Sequence, residues 1–435
     1  MSVASGPASP ESGSRKHARR RFLAPRLRPW AGRRLPQDLK AHRVGRIAAA
    51  LPEGVRDPGF VDLLTRIDEA TFSGGRSVDV FFDGQAAFAA MLSAVESARE
   101  EVLLESYIFK DDPTGRRFQA ALIAAARRGV SVRVLADGVG SVQTRRSFWT
   151  ELTEGGVEAR LFRPLGFLPL RALFRRDHRK ILIADRNVAF TGGMNIGDEY
   201  GSSLLPRESL WRDTHCRVEG PPAVELAVVF QEAWLVAGGT PLALAPIPSG
   251  ESRDPRVLIL DSRPGRGQKE LASVFASIVA AARQRLWITV AYFAPRHRAL
   301  RILGAAARRG VDVRLLLPGQ TDVAVVRHAG HALYSGLLSR GVRIYEYEGA
   351  ILHAKTLVAD QYLSVVGSSN LDFRSLEFNA ECNFVILDAP TGEKMTAAFE
   401  NDLAHAREIR LGPWRKRGWL HRSADRLART LSPWL

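Results

Sequence analysis

The sequence predicts an α/β protein built from two tandem α/β/α sandwich domains related by a pseudo-twofold axis. Three observations carry that prediction: a long-range internal repeat, an alternation of strand and helix patterns inside each copy, and a paired His/Lys motif. The stretch "AAARRGVSVRVL" at 124–135 recurs as "AAARRGVDVRLL" at 305–316. "AREEVLLESYIF" at 98–109 is echoed by "ARQRLWITVAYF" at 282–293. "DHRKILIADRNVAFTGGMN" at 177–195 returns as "LHAKTLVADQYLSVVGSSN" at 352–370, which sets His178 against His353. Three features in one order at nearly one offset describe a duplicated domain and not a short-period solenoid.

In the first copy, residues 78–82 read as a strand, 85–99 as a helix, 101–109 as a strand, 116–128 as a helix and 130–136 as a strand ending near Gly138. The second copy repeats that order at 256–260, 268–283, 285–293, 297–309 and 311–317. Near-continuous apolar strands between amphipathic helices predict a largely parallel sheet covered on both faces. A stretch rich in Gly, Pro and Ser at 241–254 reads as the linker. The expected organisation is therefore a basic tail and lead-in at 1–75, domains at 76–240 and 255–405 around that linker, and a basic amphipathic segment at 406–435.

The 435 residues, 46% of them hydrophobic, can bury two ordinary cores or one large one. No stretch reaches the roughly 18 uninterrupted apolar residues of a spanning helix. The basic N-terminus lacks the apolar run of a signal peptide. Two cysteines, Cys216 and Cys382, indicate no disulfide framework; both sit in strand-like stretches and read as buried free thiols. The net charge of +16 is unevenly placed: residues 1–50 carry twelve Lys/Arg against two acids, and residues 406–435 carry eight against two. These tails hold the whole excess, so the middle of the chain is neutral. A nucleic-acid enzyme concentrates basic surface around its cleft. Basic tails on a neutral body instead suit an anionic surface such as a bilayer rich in acidic lipid, and no nucleic-acid partner is expected.

In each motif the His and Lys are two residues apart, so on a strand His178 and Lys180 project to one face, as do His353 and Lys355. Arg outnumbers Lys by 54 to 8, yet both motifs use Lys. An ammonium is a compact point charge suited to a single oxyanion, whereas guanidinium is a wide fork. Asp185 and Asp360 fall five residues beyond each Lys in apparent turns, and Asn195 and Asn370, after Gly-rich stretches, can each donate to an anion. Two such copies supply two histidines facing one phosphorus, with cations and amides around its oxygens. One imidazole attacks a phosphodiester while the other, protonated, serves the leaving alkoxide and then deprotonates the acceptor. No cofactor or metal is called for; His328 and His331 are expected to lack partners.

These residues resemble the duplicated His-x-Lys-x-x-x-x-Asp motif of the phospholipase D superfamily, over roughly residues 78–407. Within it, "HRKILIADRNVAFTGGMNIGDEY", "WRDTHCRVEGPPAVEL" and "GSSNLDFRSLEFNAECNFVI" are similar to bacterial cardiolipin synthases. The resemblance implies two phospholipase D-like domains and a transferase joining two phosphatidylglycerols into cardiolipin plus glycerol through a phosphatidyl-histidine intermediate. It implies a catalytic set of His178, Lys180, Asp185, His353, Lys355 and Asp360, with His178 as nucleophile, His353 as acid/base and the two Asp mostly supporting. Asn195, Asn370 and Ser368 match phosphate-binding positions, and Gly193 stands where the second copy has Ser368. Asp213 and Glu381 match carboxylates that orient the histidines. The motifs alone also permit phospholipid hydrolysis or nuclease chemistry.

The resemblance is to shorter synthases without spanning helices, which implies a peripheral enzyme on the cytoplasmic side of the bacterial inner membrane, with phosphatidylglycerol and the membrane surface as partners. Leu420, Ala424, Leu427 and Leu431 recur at helical spacing among Arg422, Arg426 and Arg429, which reads as an interfacial helix flanked by Trp414, Trp419 and Trp434. "RKHARRRF" with Trp30 reads as a polybasic arm, and the apolar stretch 164–176 as an acyl-chain entrance or a cap on the sheet.

Overall fold

The computed structural model describes residues 41–68, 71–164, 166, 174–202, 205–206, 209–244, 254–263 and 267–431. The polybasic arm, most of the apolar stretch 164–176, most of the linker and Trp434 lie outside the described residues. The strands are β1 (Ser73–Gly74), β2 (Ser77–Phe81), β3 (Glu101–Ser106), β4 (Ser131–Asp137), β5 (Glu158–Phe162), β6 (Lys180–Ala184), β7 (Val188–Gly192) and β8 (His215–Glu219) in the first copy. The second copy holds β9 (Arg256–Ser262), β10 (Arg285–Thr289), β11 (Asp312–Pro318), β12 (Arg343–Tyr347), β13 (Thr356–Ala359), β14 (Leu363–Gly367), β15 (Glu381–Leu387) and β16 (Ala406–Ile409). The two sheets run β2-β8-β7-β6-β3-β4-β5 and β1-β9-β15-β14-β13-β10-β11-β12-β16.

The largely parallel sheet expected from the apolar runs is not what forms. Only β3-β4-β5 and β10-β11-β12 are parallel; every other pairing is antiparallel. The apolar runs have another cause. One face of the first sheet packs on the helices Gly84–Ser97, Pro113–Arg127 and Arg146–Glu154, through Phe88, Phe118, Phe148 and Phe190. Its other face meets the helices Pro221–Val236 and Ala389–Leu403, which also pack on the second sheet. Strands buried on both faces read as continuous apolar runs whatever their direction. The central layer joins Leu103, Ile181, Phe230 and Trp234 of the first copy to Ile259, Trp287, Phe384 and Phe399 of the second in one core. Trp287 and Phe399 stack there at 5.0 Å.

Helix starts follow local chemistry. Asp83, Asp112 and Asp388 accept from the backbone N–H groups of Ala86, Gly115 and Thr391, satisfying donors that no helical carbonyl reaches. Pro113 and Pro221 occupy first-turn positions where a missing N–H costs nothing. The lead-in lies with the second copy: helices Ala41–Ala50 and Pro58–Asp68 pack on helix Gln268–Ala281, and β1 pairs with β9. Strand β16 pairs with β12, so the second sheet extends past residue 405.

The two motif acids serve these sheets. Asp185 and Asp360 open the two-residue turns of the β6-β7 and β13-β14 hairpins, with φ of 50° and 51°. A short polar side chain is one of the few that tolerates this left-handed conformation. Each carboxylate then accepts from three backbone N–H groups ahead of the neighbouring strand: Asp185 from Arg99, Glu100 and Glu101 at 2.8–3.0 Å, Asp360 from Arg283, Gln284 and Arg285 at 2.8–3.0 Å. Both stand about 16 Å along the strand from the motif lysines, five residues at roughly 3.3 Å each. The motif spacing puts them at the opposite strand end from the His/Lys pair. Asp185→Ala or Asp360→Ala is expected to lose about 1–3 kcal/mol of stability by stranding those N–H groups. The turnover of the folded fraction should stay within a few-fold of wild type; chemical denaturation alongside active-fraction assays checks both.

Candidate active site

Each histidine is held by the other copy. Strand β6 opens just after His178, whose backbone N–H donates to Ala380 O at 2.9 Å, while Ala380 N–H donates to Arg176 O at 2.8 Å. The next residue, Glu381, places a carboxylate oxygen 3.1 Å from His178 Nδ1. The same knot recurs at the other motif: His353 N–H donates to Arg212 O at 2.8 Å, Arg212 N–H donates to Ile351 O at 2.9 Å, and Asp213 lies 2.7 Å from His353 Nδ1. Both carboxylates belong to the copy opposite their histidine. An ionised carboxylate only accepts, so His178 carries its proton on Nδ1 and leaves the Nε2 lone pair for chemistry, whereas His353 Nδ1 meets Lys355 Nζ as well as Asp213.

Burial opposes ionisation of Asp213, but Lys355 and His353 outweigh it and hold the carboxyl below its ordinary range. Burial is likewise overcome at Glu381 by His178 and Lys180. The cations feel the reverse balance. Burial, aided by the charge of Lys355, lowers Lys180 to about 7, and burial lowers Lys355 to about 8 against the pull of Asp213 and Glu381. Burial and then Lys355 lower His353 to about 4; burial and then Lys180 lower His178. Each lysine acts on the histidine of the other copy as well as its own, so the half-sites share one electrostatic basin.

The halves differ in detail. Lys180 Nζ donates to His178 O at 2.6 Å and sits 5.3 Å from the centre of the Tyr107 ring. Lys355 Nζ lies 2.7 Å from His353 Nδ1 and 3.1 Å from its Nε2, and also bonds His353 O. No described hydrogen bond engages His178 Nε2, so that nitrogen is the less encumbered of the two. Ser368 Oγ donates to Glu381 and accepts from Cys382 N–H, so its hydroxyl is committed to the orienting carboxylate. At the matching position a Cβ on Gly193 would collide with the Asp213 carboxylate, which fills the space a side chain would take. The Gly/Ser difference thus follows the Asp/Glu difference. Asn195 and Asn370 take up matching places: their Oδ1 atoms accept from Ile108 N–H and Tyr292 N–H, both at 3.2 Å. Asn195 Nδ2 donates to Tyr200 at 3.0 Å, whereas Asn370 has no such partner among the described residues, since Ser375 stands where Tyr200 would.

The motif spacing did not reveal the aromatic wall. Tyr107 meets His178 edge to face at 5.0 Å; Tyr200 and Trp211 approach His353 at 5.7 and 5.3 Å, with Tyr200 Oη 3.3 Å from its Nδ1. Tyr107 and Tyr292 end the paired repeats "ESYIF" and "VAYF" one register apart, a mismatch that could have flagged them. Arg212, beside Asp213, forks onto Asp402 of the other copy at 2.7 and 2.9 Å. The expectation that His328 and His331 lack partners is also corrected. His328 Nδ1 lies 2.8 Å from Asp425 and His331 Nε2 3.0 Å from Glu346. Asp425 arrives from a helix near the C-terminal end of the chain, which local spacing could not show. The three side chains could group around a cation, but Arg417 occupies the second oxygen of Asp425 at 3.0 Å, so they satisfy one another as an ion-pair cluster. Cys216 and Cys382 are buried free thiols.

The family described as "Cardiolipin synthase, PLD-like domain" matches the chain twice, at residues 91–218 and 276–403. The cardiolipin synthase of Halalkalibacterium halodurans is 34% identical over 379 residues, covering 86% of this chain and 75% of that protein. Cardiolipin synthase 1 of Bacillus anthracis is 34% identical over 382 residues, covering 84% and 74%. Among solved structures, phosphatidylserine synthase of Haemophilus influenzae superposes with a TM-score of 0.66 at 12% identity, covering 86% of this chain and 97% of that one; this likeness shows the fold.

The crossed pairing has a direct spectroscopic consequence. Glu381→Gln should move the imidazole nitrogen resonances of His178 and leave those of His353 nearly in place, and Asp213→Asn should do the converse. Histidine-selective nitrogen NMR checks this; shifts confined to the histidine of the same copy would contradict the pairing.

Proposed function

The chain belongs to the phospholipase D-like cardiolipin synthase family, and from that premise we propose that it makes cardiolipin by transferring a phosphatidyl group between two phosphatidylglycerols through His178. The observation that carries this reading is the pair of crossed His–carboxylate couples, each with a lysine beside it, in one buried basin. His178 Nε2 attacks the phosphorus of the first phosphatidylglycerol, and the bond from phosphorus to the terminal glycerol oxygen breaks. That oxygen takes a proton from His353. With its pKa lowered to about 4, His353 is neutral near pH 7 until a bound phosphodiester anion favours its imidazolium; it then takes a proton from solvent, and Lys355 keeps its charge. His353 then removes the proton of a primary hydroxyl on the second phosphatidylglycerol. That oxygen attacks phosphorus, the P–Nε2 bond breaks, and cardiolipin leaves with His178 regenerated. Lys180, Lys355 and the free amide of Asn370 stabilise the equatorial oxygens.

No helix among the described residues is long and apolar enough to cross a membrane. As the family resemblance implies, the reading has the enzyme working peripherally, on the cytoplasmic face of the inner membrane; the neutral middle of the chain argues against a nucleic-acid partner.

Incubation with phosphatidylglycerol vesicles, read by lipid mass spectrometry, tests this. Cardiolipin and glycerol in equal amounts are expected; phosphatidic acid would mark a hydrolase, and no lipid turnover would sink the proposal. His178→Ala and His353→Ala should each lower turnover by about 10³-fold or more. The pH profile carries a further test. A lysine whose pKa is depressed keeps its charge below that value and loses it as pH rises through it. With Lys180 near 7 and Lys355 near 8, kcat/KM should fall on an alkaline limb between about pH 7 and 9. A limb first appearing near pH 10 would show that these ammonium groups are not the ones that matter.

A further inference from the structure

Helix Trp419–Leu431 has two unlike sides. One is fastened to helix Ala324–Leu338 and its surroundings. Asp425 and Ala428 are buried there. Asp425 pairs with His328 and Arg417, and Arg429 donates to the carbonyls of Ala294 and Pro295 at 3.3 and 2.8 Å. Trp414, expected at an interface with lipid, instead belongs to this fastening: it is buried, stacked on Tyr334 at 4.8 Å and covered by Arg417.

The other side is open. Trp419, Leu420 and Leu427 are 68%, 63% and 65% exposed, three of the seven well-exposed large apolar side chains among the described residues. A helix that merely packs on its own domain turns such residues inward and its carboxylates outward. Here the carboxylate is buried and the leucines face out. Arg422 and Arg426 are exposed on the same helix, and Arg415 and Lys416 just before it. Its single acid, Asp425, is buried and neutralised, so the outward face is apolar and cationic with no opposing charge. That combination complements a layer of anionic headgroups over hydrocarbon. The position matters too: Ala294 and Pro295, gripped by Arg429, follow within three residues of Tyr292, whose ring lies 6.1 Å from that of His353.

We propose that the outward face of helix Trp419–Leu431 is the docking surface for an anionic phospholipid bilayer, seating the rim of the active site against the membrane. This rests on the reading of the site as acting on phospholipid. Leu420, Leu427 and Trp419 enter the interfacial region, Arg422 and Arg426 meet lipid phosphates, and the His328–Asp425–Arg417 cluster fixes the angle of the helix.

The test uses full-length protein and the double variant Leu420→Glu/Leu427→Glu. Both leucines are exposed, so thermal unfolding should match wild type. Vesicle flotation compares phosphatidylcholine alone with phosphatidylcholine containing phosphatidylglycerol, and turnover of phosphatidylglycerol in detergent micelles is measured in parallel. The wild type should bind the anionic vesicles at least tenfold more tightly than the neutral ones. The variant should lose at least tenfold in that binding and keep micellar turnover within twofold. Binding that is unchanged in the variant, or insensitive to phosphatidylglycerol, overturns the proposal. A variant that binds vesicles normally but dissociates from dimer to monomer would assign the face to a second copy of the chain and also overturn it. If the wild type docks as described, the variant does not, and neither makes lipid product, the docking stands and the transferase reading falls.

Discussion

The structure depends on the exchange of carboxylates between the two copies. Glu381 reaches His178 and Asp213 reaches His353, each backed by a pair of backbone hydrogen bonds that stitch the residue before the acid to the segment just ahead of β6 or β13. Neither copy can orient its own imidazole. The carboxylate partner of each ring, and with it the ring plane, exists only when both copies are folded against one another. The continuous core supports this: two helices lie between the sheets, so separating the copies would expose apolar surface as well as two buried carboxylates that lose their imidazole partners.

The same constraint explains the departures from symmetry. Because the orienting acids differ in length, their neighbours must differ: Ser368 fills the space beside Glu381, and Gly193 leaves room for Asp213. Lys355 approaches both ring nitrogens of His353, whereas Lys180 meets the carbonyl of His178 and the Tyr107 ring and not the imidazole. A duplicated fold has thus acquired two unlike imidazoles, one less encumbered and one beside an ammonium. That division of labour is what a nucleophile and an acid/base require.

The duplication was legible in the long repeat, and the paired His/Lys motifs with it, although each histidine lies just ahead of its strand, β6 or β13, and not on it. Asp213 and Glu381 were named from the family resemblance and not from spacing. Which acid serves which histidine was not legible, since sequence order carries no information about swapping between two copies so far apart along the chain. The sheet direction was misread because burial on both faces leaves the same apolar signature in parallel and antiparallel strands. Asp185 and Asp360 entered the catalytic set through the family motif, in a mostly supporting part; a strand is extended, and five residues carry them to its far end. The histidine cluster at His328 and His331 was invisible for a related reason, as its carboxylates arrive from β12 and from the C-terminal helix. Amphipathicity marked that helix correctly, but it could not tell which side the protein keeps for itself.

The claim that these two half-sites work as one covalent site is most directly tested by trapping the intermediate. Protein mixed with phosphatidylglycerol for less than one turnover, quenched in alkali where phosphorus–imidazole bonds survive, and digested for mass spectrometry should yield a phosphatidyl adduct on the peptide containing His178. It should be absent from the peptide containing His353. Full product formation with no adduct on either peptide, together with inversion of configuration at phosphorus, would mean a single direct displacement and would contradict the account.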